Sequence, residues 1–214
     1  MNGKCSQADK CNSAKQDHGC AGCGFQHFER IMYSNPENET IELLGKEYFD
    51  LCSAGNRSLG GRIALDKPLK SLIKRKIPQV REISPSVESF TIDGDVLQIK
   101  VKYDCGLEFN DRQVFIEVKG YGDNTNDLLS AITAAQLLKE VNKTHNVSYY
   151  YLGISSGKKS NETGLRRSSF FDPTRIKLYP YVKWAESKGL LKFYGIVDID
   201  KLIGDARQFL LQSV

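Results

Sequence analysis

Two short runs with strand-like alternation, Asp104–Phe109 and Arg112–Lys119, are separated only by Asn110-Asp111. Asn and Asp tolerate the backbone that a two-residue turn imposes, so the sequence predicts a tight hairpin here. No other feature restricts the fold as strongly. Asp104 lies thirteen positions before Glu117, so closing the hairpin brings both to the same end of the ladder. Side chains alternate along a strand, which puts Glu117 and Lys119 on one face and turns Ile116 and Val118 to the other. Two carboxylates and one ammonium therefore converge.

Downstream of the hairpin, Asn126 or Asp127 is placed to cap a helix over Leu128–Asn142, whose Leu128, Ala131, Ile132, Ala135 and Leu138 form one apolar stripe. Val147–Ile154 is then an apolar and aromatic strand. Strand, helix, strand of this length predicts a βαβ unit with a right-handed crossover. Upstream, Phe90–Ile92, the turn Asp93-Gly94 and Val96–Tyr103 predict another hairpin leading into the same sheet. Helical spacing recurs over Phe25–Met32, Glu39–Cys52, a basic segment ending near Pro78, Pro180–Lys188 and Ile199–Leu211, with a strand over Leu191–Val197. The expected class is α/β, a mixed sheet flanked by helices.

Mg²⁺ is a hard cation that takes one or two carboxylates and completes its shell with water and phosphate oxygens. Asp104 and Glu117 suit that role, with Asp95 and Asp93 as alternative first ligands. A metal so held polarises a phosphodiester and acidifies a bound water, and Lys119 is placed to orient or deprotonate that water or to neutralise the phosphate. The pattern Asp104…Glu117-Val118-Lys119 resembles the Pro-Asp…Asp/Glu-x-Lys signature of the PD-(D/E)XK nuclease superfamily, which includes the type II restriction endonucleases. The resemblance covers about residues 88 to 155, and Tyr103 stands where the family often has proline. It implies a restriction-endonuclease-like core in which Asp104, Glu117 and the backbone carbonyl of Val118 hold Mg²⁺ while Lys119 serves the attacking water. It also implies cleavage of double-stranded DNA at a short specific sequence by a homodimer, since cutting two strands usually takes two sites. A zinc-bearing DNA-binding protein without cleavage, or a structure-specific DNA repair nuclease of the same fold, are the alternatives.

Four of six cysteines, Cys5, Cys11, Cys20 and Cys23, fall in the first two dozen residues. Met1–Lys15 carries no apolar run of the kind a signal peptide needs, so a cytoplasmic protein is expected and disulfides are not. Cys20-Ala21-Gly22-Cys23 is the knuckle of a thiolate metal site, and Cys5 and Cys11 complete a Cys₄ set with Zn²⁺ as the default occupant. His18 and His27 are reserve ligands. The surrounding Gly, Ser, Asn and Asp residues build no core, so residues 1–30 are expected to form a metal-held module ahead of a nuclease domain over 31–214. Cys52 and Cys105 are expected to pack in the core.

No segment approaches the ~20 apolar residues that span a bilayer. The net charge of +4 is mild, but its distribution is uneven. Lys158, Lys159, Arg166, Arg167 and Arg175 crowd a Gly/Ser/Asn-rich stretch between Ser155 and Pro173 and just beyond it, where exposed cations suit a DNA groove. A second crowd, Lys67, Lys70, Lys74, Arg75, Lys76 and Arg81, fits either a solubilising face or a polyanion. Glu42 and Glu47 are expected to be surface charges and Gln136 a polar residue at a helix surface. Tyr179, Tyr181 and Trp184 are expected to pack around the helix at 180–188 rather than stack on bases. Tyr149, Tyr150 and Tyr151 alternate faces, so at least one of them is expected to reach a partner.

Overall fold

The computed structural model describes residues 24–53, 66–83, 87–92, 95–100, 103–122, 124–141, 146–156 and 169–212. The chain divides into two compact units, one through Leu72 and one from Ile73. Cys5, Cys11, Cys20, Cys23 and His18, together with Asp93, Lys158, Lys159, Arg166 and Arg167, lie outside the described residues.

In the first unit, α1 (Gly24–Ser34) and α2 (Glu39–Ser53) pack against each other. Asn38 starts α2 by accepting a hydrogen bond from the Ile41 backbone N–H at 2.9 Å, an N-cap that satisfies one of the donors a helix start leaves open. Phe28 meets Tyr48 edge to face with ring centroids 5.9 Å apart, and Ile31, Ile41 and Leu44 are buried with them. Glu42 is exposed, and Glu47 accepts a hydrogen bond from Ser71 of α3 (Asp66–Lys76).

The second unit is built on a six-stranded mixed sheet. Its strands are β1 (Arg81–Glu82), β4 (Cys105–Phe109), β5 (Arg112–Tyr121), β6 (Asn146–Ser156), β7 (Ser169–Phe170) and β8 (Lys192–Gly195). The order runs β1-β4-β5-β6-β7, and β8 also pairs with β6. The predicted hairpin is present: Phe109 pairs with Arg112 across Asn110-Asp111, and Asn110 takes the left-handed φ of 55° that the turn requires. β6 runs parallel to β5, connected through α4 (Thr125–Val141), which is the expected βαβ unit.

Helices cover both faces. Phe115, Tyr149 and Tyr151 share one face and pack with Leu128, Ala131, Ile132 and Ala135 of α4 and Val182 and Ala185 of α5 (Tyr179–Ser187). The opposite face carries Val114, Ile116, Tyr150, Leu152 and Ile154, all buried. Here Arg112 reaches α6 (Ile199–Leu211), donating to the Phe209 carbonyl and lying over the Phe209 ring. Tyr194 of β8 donates to Asp205 of α6 at 2.6 Å, and Lys192 pairs with the same carboxylate. The hydroxyl and the ammonium hold Asp205 below the usual carboxylate range against the opposing pull of burial.

Several expectations are corrected. The hairpin of β2 (Val87–Ile92) and β3 (Asp95–Lys100) does not lead into the main sheet but forms a separate two-stranded one, paired from Val87↔Lys100 to Ile92↔Asp95. The strand near the C-terminus is only four residues long, and Ile196–Asp198 coils into a 3₁₀ turn that feeds α6 directly. Tyr149, Tyr150 and Tyr151 are all buried, because β6 is internal to the sheet and helices cover it on both sides. Trp184, Tyr179 and Tyr181 do not pack inside; they remain 44%, 37% and 55% exposed, since α5 buries only the stripe at Val182 and Ala185. Cys105 is buried as expected, and Gln136 lies on the helix surface.

Glycines let one aromatic ring seat on the sheet. A Cβ on Gly153 would lie 2.2 Å from the Phe171 ring and one on Gly122 2.5 Å from it. Phe171 thereby rests on bare backbone near the ends of β5 and β6, where Tyr151 donates to the Gly122 carbonyl at 3.1 Å. Gly153→Ala is expected to destabilise the fold by about 1–3 kcal/mol through overpacking. Denaturant titration of both proteins measures this, and an unchanged midpoint would remove Phe171 from that seat.

Candidate functional site

The two carboxylates meet because β4 stops before its ladder with β5 reaches Val118. The last register pair is Cys105↔Ile116. Backbone N–H and C=O groups of one residue point to the same side of an antiparallel pair, so those of Val118 face the edge where β4 has not yet begun. The Asp104 side chain takes the place of the missing strand: its Oδ2 accepts the Val118 N–H at 2.8 Å. An edge donor that would otherwise need water is satisfied by a carboxylate.

Glu117 and Lys119 emerge from β5 on the face that bears Phe115, as alternation predicts, and they form an ion pair. Their side chains are 15% and 27% exposed, so the site is sheltered yet open on one side. Burial raises the Glu117 pKa above 4.5, the Asp104 carboxylate pushes it further up, and Lys119 only partly opposes this. For Lys119, burial alone would lower the pKa, but Glu117, Asp104 and Asp127 together outweigh it and raise the value. The lysine is held charged, while its carboxylate neighbour carries an electrostatic cost.

Asp127 was visible in the sequence only as a candidate cap. The helix starts earlier than its apolar stripe suggests, at Thr125, and Asn124 is the cap, accepting the Asn126 N–H at 3.0 Å. That places Asp127 in the first turn of α4, where its charge acts on both Glu117 and Lys119. The signal available in the sequence was its position just after the Gly-rich break that ends β5. Tyr103 is the other residue that only the fold brings in. Its ring stacks on Phe115 and Tyr149 with centroids 4.8 and 5.5 Å away, and burial, with Tyr149 and Glu117, pushes its phenol far above its ordinary range.

Other sequence candidates fall elsewhere. Asp95 belongs to the separate β2–β3 sheet, whereas Asp104 bonds to Val118, between Glu117 and Lys119. Arg175 is exposed and ion-paired with Asp172 at 3.0 Å. Among the described residues no group of three or more His, Cys, Asp and Glu is gathered to hold a metal ion. The site instead offers two carboxylates, a sparse set that fits a hydrated Mg²⁺ sharing its shell with phosphate better than it fits a closed protein cage.

Comparison with protein-family models, curated proteins and solved structures gives no match to this chain. The site therefore rests on its own geometry. Among the described residues no helix is long and apolar enough to cross a membrane.

A divalent cation would bind Glu117 only in its charged form. Because the Glu117 pKa is raised, lowering the pH protonates this group earlier than an ordinary glutamate, so cation affinity is expected to fall at pH values still above 4.5. At neutral pH, Mg²⁺ at a hundred times its Kd should stabilise the protein by about 2.7 kcal/mol. Thermal melts with and without Mg²⁺ across pH measure both effects, and Glu117→Gln should abolish the Mg²⁺-dependent increment.

Proposed function

We propose that this chain is a Mg²⁺-dependent endonuclease of double-stranded DNA, of the type II restriction class, with a restriction-endonuclease-like core. The observation that carries this reading is the Asp104–Val118 hydrogen bond, which sets a second carboxylate beside the Glu117–Lys119 pair at the end of one strand. Asp104 and Glu117 would hold the cation, with the Val118 carbonyl, directed to the same edge as its N–H, as a third donor. Bound there, Mg²⁺ supplies charge stabilisation to the phosphodiester and lowers the pKa of a water. Lys119, kept charged by the surrounding acids, orients the attacking water and neutralises the phosphate as the P–O bond breaks. The like-charge cost on Glu117 supports the same reading, because a cation between the two carboxylates removes it.

Arg175 and the cations Lys158, Lys159, Arg166 and Arg167 are proposed to contact the DNA backbone, and a homodimer to present one site to each strand. Digestion of plasmid DNA with Mg²⁺ should give discrete fragments. Glu117→Ala should abolish cutting, Lys119→Ala should slow it by roughly 10²–10⁴-fold, and Asp104→Asn should abolish it while keeping an acceptor for the Val118 N–H. Normal cutting by the Glu117 or Lys119 variant defeats the assignment, and a smear in place of bands defeats the restriction class in favour of a less specific nuclease.

Cys5, Cys11, Cys20 and Cys23 are proposed to bind one structural Zn²⁺, on the strength of their number and of the Cys20–Cys23 knuckle. Elemental analysis of the purified chain should find one zinc per chain, released by thiol modification; a metal-free preparation that melts normally rejects the module.

A further inference from the structure

The outer side of α5 carries aromatic rings that the core does not use. Tyr181 and Trp184, three residues apart, lie side by side on the helix surface. They are 55% and 44% exposed, and Tyr179 at the helix start is 37% exposed. Indole and phenol rings of this size are ordinarily drawn inside, and α5 has buried neighbours in Val182 and Ala185 one step around the helix.

The charges around these rings have one sign. Lys188 at the C-terminal cap of α5 is exposed and one turn from Trp184. Lys139 of α4 reaches the same corner, donating to the Lys188 carbonyl at 3.0 Å. Among the described residues no acid forms an ion pair with Lys139 or Lys188. The acid of the helix, Glu186, is rotated about 200° from Trp184 and is engaged by the Phe193 N–H at 3.2 Å. Stackable rings bordered by two ammonium groups match a chain of bases on a phosphate backbone.

We propose that the Tyr181–Trp184 face of α5, with Lys139 and Lys188, binds single-stranded DNA by stacking unpaired bases. Lys139 lies about 18 Å along α4 from Asp127, so this surface is separate from the candidate catalytic end of that helix. It would grip a melted or overhanging strand while a phosphodiester elsewhere on the same molecule is cut. The choice of DNA rests on the nuclease reading; the stacking surface does not.

Trp184 is the only tryptophan of the chain, so its emission reports on this face. Titrating a short oligothymidylate into the full-length protein without added Mg²⁺, in parallel with the Lys119→Ala protein, should quench that emission, and added salt should reverse the effect. Affinity for a labelled oligonucleotide, read by anisotropy, should fall roughly tenfold in Trp184→Ala and in Tyr181→Ala and recover in Trp184→Phe. Binding that leaves the emission unchanged, equal quenching by a blunt duplex, or unaltered affinity in both alanine variants overturns the proposal. An emission shift driven by protein concentration alone would reassign the face to a second copy of this chain, and tenfold tighter binding of the matching RNA would overturn the choice of DNA. Because the titration needs no Mg²⁺, quenching by a protein that never cuts when Mg²⁺ is supplied keeps this surface and discards the nuclease, whereas cutting with Mg²⁺ but no quenching does the reverse.

Discussion

The second unit depends on the parallel pairing of β5 with β6. Nine residue pairs are in register between Arg112↔Asn146 and Tyr121↔Ser155, and parallel strands require a crossover, here α4. A strand paired on both edges and covered on both faces has no surface to give to solvent, which is why three consecutive tyrosines of β6 are buried. The same pairing holds β5 rigid where Glu117 and Lys119 leave it, on an element whose backbone cannot drift. A site borne by a loop would lack that constraint.

Against this rigid strand the fold leaves one edge unfinished. β4 ends its ladder at Cys105↔Ile116, and a carboxylate rather than a peptide carbonyl answers the next open N–H. The substitution has an electrostatic consequence, for it brings a second negative charge to Glu117 in a sheltered place, with Asp127 adding to it from the helix start. Buried like charges are costly unless a cation compensates them, and Lys119 compensates only in part. Strain of this kind is typical of positions kept for chemistry rather than for stability.

The two surfaces argued for binding differ in their physics. The Asp104–Glu117–Lys119 end is polar, sheltered and charged, suited to a phosphate and its counterion. The outer side of α5 is aromatic and bordered by lysines, suited to bases without regard to their sequence. α4 contributes to both, through Asp127 at its start and Lys139 near its end.

Local patterns determined the elements. The Asn110-Asp111 turn set the register, and with it the placement of Asp104 opposite Glu117, because a two-residue loop leaves no freedom in which residues face each other. Alternation told which side of β5 Glu117 and Lys119 would share, and the apolar stripe at Leu128, Ala131, Ile132 and Ala135 told that α4 would cover a face. What the chain could not express locally was which strands join. Whether β2–β3 would extend the main sheet or stand apart depended on edges presented by distant residues. The same limit hid the exposure of Trp184 and the burial of Tyr149, Tyr150 and Tyr151, since an aromatic ring reads alike in sequence whether or not another element covers it. It also hid Asp127, whose effect on Glu117 and Lys119 arises only once the turn after β5 sets the first turn of α4 beside that strand. Short-range geometry is written in neighbouring residues, whereas burial and electrostatic proximity are properties of tertiary packing.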